Sequence, residues 1–156
     1  MIDDLAVIDD PLGHAVRVHV FEHAAATGVV PQASRIATVL NVPDADIRAA
    51  LKRLAEQRVL ILAPNDGNIW AANPFCAVPS GFRVKTNGVR YWGICIWDAL
   101  GIVAALHASD AVVRAPCGDC GDLLEVEFRG GNLVKSEGVI HFAVPARHWW
   151  ENIGFA

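Results

Sequence analysis

No apolar run in this sequence approaches the roughly 20 residues that a membrane-spanning helix needs. The first ten residues, Met1 to Asp10, are acidic where a secretory signal would be basic. A cytoplasmic protein with no membrane partner is expected. Cysteine is sparse: the four present, Cys76, Cys95, Cys117 and Cys120, are too few for the disulfide framework of a small secreted domain. In a reducing compartment they are thiols, available for packing, metal binding or catalysis. A basic excess is also missing, with 13 Lys and Arg against 17 Asp and Glu. Internal repeats and low-complexity segments are absent. The composition that remains, 53% hydrophobic and 19% charged, belongs to a packed globular protein rather than a disordered one. A chain of 156 residues has room for one ordinary core or two small ones.

The spacing of apolar residues divides the chain near residue 72. Val16, Val20, Phe21 and Ala24 fall on one face of a helix over Leu12 to Ala26, ended by Gly28 and Pro31. A short helix over Ser34 to Leu40 and a turn at Asn41-Val42-Pro43 lead to a longer helix, Asp44 to Arg58. Ile47, Leu51 and Leu54 share one face of it, and Asp44 is the expected N-cap. Val59 to Leu62 and Asn68 to Ala71 flank the turn Pro64-Asn65-Asp66-Gly67 and predict a hairpin. Three helices and a hairpin predict a winged helix-turn-helix-like domain over 1–72.

The rest, 73–156, has strand periodicity. Phe82 to Thr86 and Val89 to Ile94 flank Asn87-Gly88, a strong hairpin signal. A helix from Ile96 to His107 follows, then strands at Ala111 to Ala115, Leu123 to Phe128 and Val139 to Val144, and a short terminal helix over Ala146 to Asn152. The fold class is therefore α+β: a helical domain followed by a small mixed or antiparallel sheet domain with one or two helices.

A winged domain invites a DNA-binding reading through Arg48, Lys52, Arg53 and Arg58. Charge argues against it. Residues 1–72 hold six basic side chains (Arg17, Arg35, Arg48, Lys52, Arg53, Arg58) against nine Asp and Glu, whereas phosphate binding needs a basic surface. This count disfavours nucleic acid as a partner, and a scaffold role is expected.

If the chain does chemistry, Cys95 and Asp98 are where it centres. The strand ending at Ile94 runs into the helix that Cys95-Ile96-Trp97-Asp98 opens, so the thiol lies near the free backbone N–H groups that favour a thiolate. Three residues on, Asp98 reaches whatever Cys95 holds. The bland alternative is a packed cysteine beside an aspartate that complements the helix dipole. Pro116-Cys117-Gly118-Asp119-Cys120-Gly121 leaves three readings open: a tight turn with buried thiols, half of a zinc or copper site, or a redox pair. Cys76, His141 and His148 are the loose candidates for further ligands. Trp92, Trp97, Trp149 and Trp150 are expected to fill the core or line an apolar pocket. Asp3-Asp4 and Asp9-Asp10 read as a solvated leader, and His14, His19 and His23 as a solvated helix face.

The stretch Asn73 to Asp98, N-P-F-C-A-V-P-S-G-F-R-V-K-T-N-G-V-R-Y-W-G-I-C-I-W-D, resembles the organomercurial (alkylmercury) lyase family. The resemblance continues through A-P-C-G-D-C-G, Ala115 to Gly121, and V-I-H-F-A-V-P-A-R-H-W-W, Val139 to Trp150. It implies protonolysis of carbon–mercury bonds, with Cys95 as the mercury-binding thiol, Asp98 as the proton relay, and Cys117 as a structural residue. It implies no cofactor: organomercurials are substrates, mercuric ion a product, and small thiols partners. The family's second mercury-binding thiol is expected just past the stretch matching Trp150 to Ala156, so it is not among these residues. A truncated form, a homologue without the reaction, and substitution by another thiol stay open. The competing class is a thiol protein that captures a soft metal through Cys95 without turnover. A sheet lacking its last strand would expose an edge, and homodimerisation through it is expected.

Overall fold

A computed structural model describes residues 10–136, 138–142 and 144–151 of the chain. The chain divides into two compact units, Met1–Ala72 and Asn73–Ala156. No described helix is long and apolar enough to cross a membrane.

The first unit holds helices α1 (Pro11–Thr27), α2 (Ala33–Leu40) and α3 (Asp44–Glu56), then strands β1 (Ile61–Leu62) and β2 (Ile69–Ala72). Pro11 starts α1 where a missing N–H costs nothing, and Gly28, at φ 75°, ends it in the left-handed conformation. Asp10 is not merely solvated. Its carboxylate caps α1 by accepting the Gly13 N–H at 2.8 Å and pairs with Arg53 Nε of α3 at 2.8 Å. Those bonds hold its pKa below the usual carboxylate value. The rest of the acidic leader lies outside the described residues. Asp44 is the first residue of α3 rather than its N-cap, which is Pro43. Its side chain pairs with Arg48 at 2.6 Å instead of bonding the backbone.

Val16, Val20 and Ala24 of α1 meet Ile36 of α2 and Ile47, Leu51 and Leu54 of α3 in one buried cluster. Leu51 is fully buried. Leu51→Ala is expected to destabilise this unit by about 2–5 kcal/mol through lost transfer energy and the cavity left behind. Urea denaturation followed by far-UV circular dichroism checks this.

The second unit opens with β3 (Phe75–Cys76) and a hairpin of β4 (Phe82–Thr86) and β5 (Val89–Gly93). The hairpin turn fits its sequence: Asn87 and Gly88 both have positive φ, 48° and 78°, as a two-residue turn of this twist requires. Helix α4 (Ile96–Ala105) follows, then β6 (Ala111–Pro116), β7 (Leu123–Arg129), β8 (Asn132–Lys135) and a short 3₁₀ helix at Ala146–Glu151. The sheet order is β5-β4-β6-β7-β8, antiparallel at every pairing rather than mixed.

Val84 pairs with both Tyr91 and Val113, and Val113 with Val126, so these side chains share one face. Helix α4 lays Ala99, Ile102 and Val103 on β4, β5 and β6. The opposite face carries Arg83, Lys85, Arg114 and Glu125, with Arg114 bonded to Glu125 at 2.8 Å across the strands. Because α4 stops at β6, the inner face of β7 lies beyond the helix.

The expected strand over Val139 to Val144 does not form among the described residues. Gly130 and Gly131 adopt positive φ, 55° and 77°, so the chain reverses at once and β8 begins at Asn132. The apolar run further on lines a cleft instead of joining a ladder. Asn152, placed in the terminal helix by its sequence, lies outside the described residues.

Candidate active site

The transition from β5 to α4 is a tight one. Gly93 ends the strand, and a Cβ there would lie 2.8 Å from the Ala99 nitrogen and 3.0 Å from the Asp98 Cβ. Only a residue without a side chain lets the first turn of α4 fold back this closely. Ser80 fixes the strand end from the other side: its hydroxyl donates to the Gly93 carbonyl at 2.6 Å and accepts the Phe82 N–H at 3.1 Å. Neither residue stands out in the sequence, because each acts through a contact that only the folded chain creates. The Gly-Ile-Cys spacing was the signal available for Gly93.

Cys95 is the N-cap of α4, extended at φ −137°, with its carbonyl accepting the Ala99 N–H at 3.1 Å. Asp98 is the third helical residue. Its carboxylate turns back to the N–H groups of Cys95 and Ile94, as the acidic member of a capping box does. The Cys95 thiol faces it and donates to Asp98 Oδ2 at 3.7 Å, a long contact suited to sulfur. The structure thus brings together the two residues that sequence spacing had paired.

Both groups are half-buried, and both hold protons more tightly than usual. Burial pushes the Asp98 carboxyl above its ordinary 3.8, against the opposing pull of the Cys95 thiol and the two N–H groups. Burial likewise pushes the Cys95 thiol above 9.0, with the Asp98 charge adding to it. The N–H groups of Asp98 and Trp97 pull the other way and lose. The helix start therefore does not make Cys95 a resting thiolate, because desolvation exceeds what the local dipoles return.

The pair opens into a cleft of about 920 Å³. Its floor runs from Val113 at the edge of the α4 contact onto Leu124 and Val126 of β7, and its wall is the 138–142 segment. Phe142 stands edge-on to Trp97 at 5.9 Å between ring centres and against Trp149 at 5.3 Å. Trp149 is anchored by its indole N–H to the Val144 carbonyl at 2.8 Å. Trp97 and Trp149 thus line the cleft as their composition predicts, whereas Trp92 and Trp150 do not.

The other thiols are distributed differently. Cys76 is buried on β3, and desolvation raises its pKa. Cys117 is half-buried on the cleft wall and Cys120 is exposed, so the turn does not hide its thiols in a core. The N–H groups of Cys120 and Asp119, and then the Cys120 thiol, hold Cys117 below the usual thiol range. Among the described residues no group of three or more His, Cys, Asp or Glu is placed to hold a metal ion. A closed zinc or copper site built from Cys117, Cys120, Cys76, His141 and His148 therefore finds no support. His141 lines the cleft, while His148 pairs with Glu151 at 2.6 Å.

The sequence profile of the alkylmercury lyases matches residues 75–155. The chain belongs to the alkylmercury lyase family. Among solved structures, the mercury-bound form of MerB2 is similar to it at a TM-score of 0.63 and 21% identity. That alignment covers 85% of this chain and 62% of the other, so this chain spans less than two thirds of that protein. Among curated proteins none matches. The family match contains Cys95, Asp98, the Cys117-Cys120 turn and the described cleft wall.

Proposed function

We propose that the chain cleaves carbon–mercury bonds by protonolysis, with Cys95 as the mercury-binding thiol and Asp98 as the proton relay. One observation carries the reading: the Cys95 thiol and the Asp98 carboxylate, 3.7 Å apart, face each other at the edge of an apolar cleft. Sulfur is the soft ligand that a soft metal selects, and the cleft lining suits a small organic group.

The step balances in atoms and electrons without redox. Cys95 sulfur bonds the mercury of R–Hg–SR′ as its proton passes to the Asp98 carboxylate. Asp98 then delivers that proton to the carbon as the carbon–mercury bond breaks, and the bonding pair stays with carbon. The products are R–H and mercuric ion held between Cys95 and the small thiol. Burial at both groups supports this order, since the thiol starts protonated, the carboxylate's proton affinity is raised, and mercury binding to sulfur drives the transfer. Incubation with phenylmercury and excess small thiol is expected to release benzene over repeated turnovers, read by headspace gas chromatography. Stoichiometric capture without benzene would favour the non-catalytic soft-metal binder.

The pH dependence follows from Asp98. It must be ionised to accept the thiol proton, and burial moves its titration above 3.8. The single-turnover rate should fall about tenfold per pH unit once the pH drops below that raised value. An acid limb is therefore expected above the ordinary carboxylate range. A rate that stays flat down to pH 3.8 would contradict the role.

We read the first unit as a winged helix-turn-helix-like scaffold. Arg48 is held by Asp44 and the Asp66 carbonyl, and Arg53 by Asp10, which supports a structural use of these cations over duplex binding.

A further inference from the structure

Cys117 lines the same cleft as Cys95 and Asp98, although helix α4 and strand β6 lie between it and Cys95, 22 positions earlier in sequence. The turn that carries it is closed by the Cys117 N–H on the Asp122 carbonyl at 2.7 Å and the Gly121 N–H on the Cys117 carbonyl at 3.0 Å. This closure holds the two thiols on one tight turn, with the Cys120 side chain close enough to lower the proton affinity of Cys117. Both cysteines are free, one facing the cleft and the other the solvent. A dithiol placed this way spans the wall between the site and the outside. Zinc needs four ligands, and among the described residues no third is placed to join the pair. Divalent mercury is satisfied by two sulfurs, so for that ion the pair is a full set.

We propose that Cys117 and Cys120 form a second soft-metal site on the cleft wall, which takes mercuric ion from Cys95 after cleavage. The proposal rests on the reading of Cys95 as the mercury thiol. The step is a thiol exchange with no change of oxidation state. Cys117 and Cys120 sulfurs each bond mercury and release a proton. The bonds to Cys95 and to the small thiol break, and those two sulfurs take up the two protons. Cys95 is then free for another substrate, and the ion sits where an external thiol can reach it through Cys120.

The full chain, loaded with an equimolar amount of mercuric chloride in the presence of a small monothiol, is alkylated and its peptides are mapped by mass spectrometry. Cys117 and Cys120 are expected to be protected, with Cys95 alkylated. The C117S/C120S variant is expected to lose mercuric ion to the monothiol about tenfold faster than the parent chain. Alkylation of the pair with Cys95 protected, or unchanged retention in the double variant, overturns the proposal. If the double variant does not fold, the labelling pattern of the unmodified chain decides alone. Protection of the pair in a protein that releases no benzene from phenylmercury would uphold this site and discard the lyase reading instead.

Discussion

Asp98→Ala is expected to lower carbon–mercury cleavage by about 10²–10⁴, the usual worth of a positioned proton donor. Capture of phenylmercury at Cys95 should survive at equilibrium, because buffer or water can take the thiol proton in place of the carboxylate, whereas neither can deliver it to the carbon. The separation follows from the geometry. Asp98 touches the thiol at 3.7 Å but gets its position from the N–H groups of Cys95 and Ile94, so its removal leaves the thiol on the same helix start. Cys95→Ser, in contrast, should abolish cleavage outright, since a hydroxyl is a hard and poor ligand for mercury. Benzene release and peptide mapping of the phenylmercury adduct, run on the same samples, read the two quantities. Equal loss of capture and cleavage in Asp98→Ala would contradict the division of labour.

The second large effect is expected at a residue with no chemistry of its own. In Gly93→Ala the new Cβ meets the Ala99 nitrogen at 2.8 Å, which is backbone and cannot swing aside. The first turn of α4 must move, carrying Cys95 and Asp98 with it. Overpacking of this kind costs about 1–3 kcal/mol. A displacement of about 1 Å at reacting groups costs on the order of 10²-fold in rate. Gly101→Ala is the internal control. It lies on the same helix, and its added Cβ would meet only the Pro74 side chain, at 3.3 Å. Replacing a mid-helix glycine returns about 0.5–1 kcal/mol of propensity, so that variant should keep most of its stability and rate. Thermal melts and single-turnover benzene release distinguish the two.

Where local chemistry decides the structure, the sequence was a sufficient guide. Asn87-Gly88 makes its hairpin because both residues tolerate positive φ, and α3 buries Ile47, Leu51 and Leu54 because they recur at helical spacing. Cys95 and Asp98 were legible for the same reason, as neighbours on one helical turn. Long-range contact decided the rest. Val139 to Val144 has the composition of a strand, but the Gly130-Gly131 reversal gives the sheet its next strand at Asn132, and the apolar residues beyond it line the cleft. The protonation state of Cys95 depends on burial that no local pattern encodes. The Asp10–Arg53 pair joins residues 43 positions apart, and the shared cleft of Cys95 and Cys117 is likewise a product of the sheet's order.

Breakage of the carbon–mercury bond, rather than retention of the metal alone, separates the proposed lyase from a soft-metal binder. Intact-mass spectrometry after exposure to substoichiometric phenylmercury tests it most directly. A protein adduct carrying mercury without its phenyl group is expected. An adduct that keeps the phenyl group indefinitely at neutral pH would contradict it.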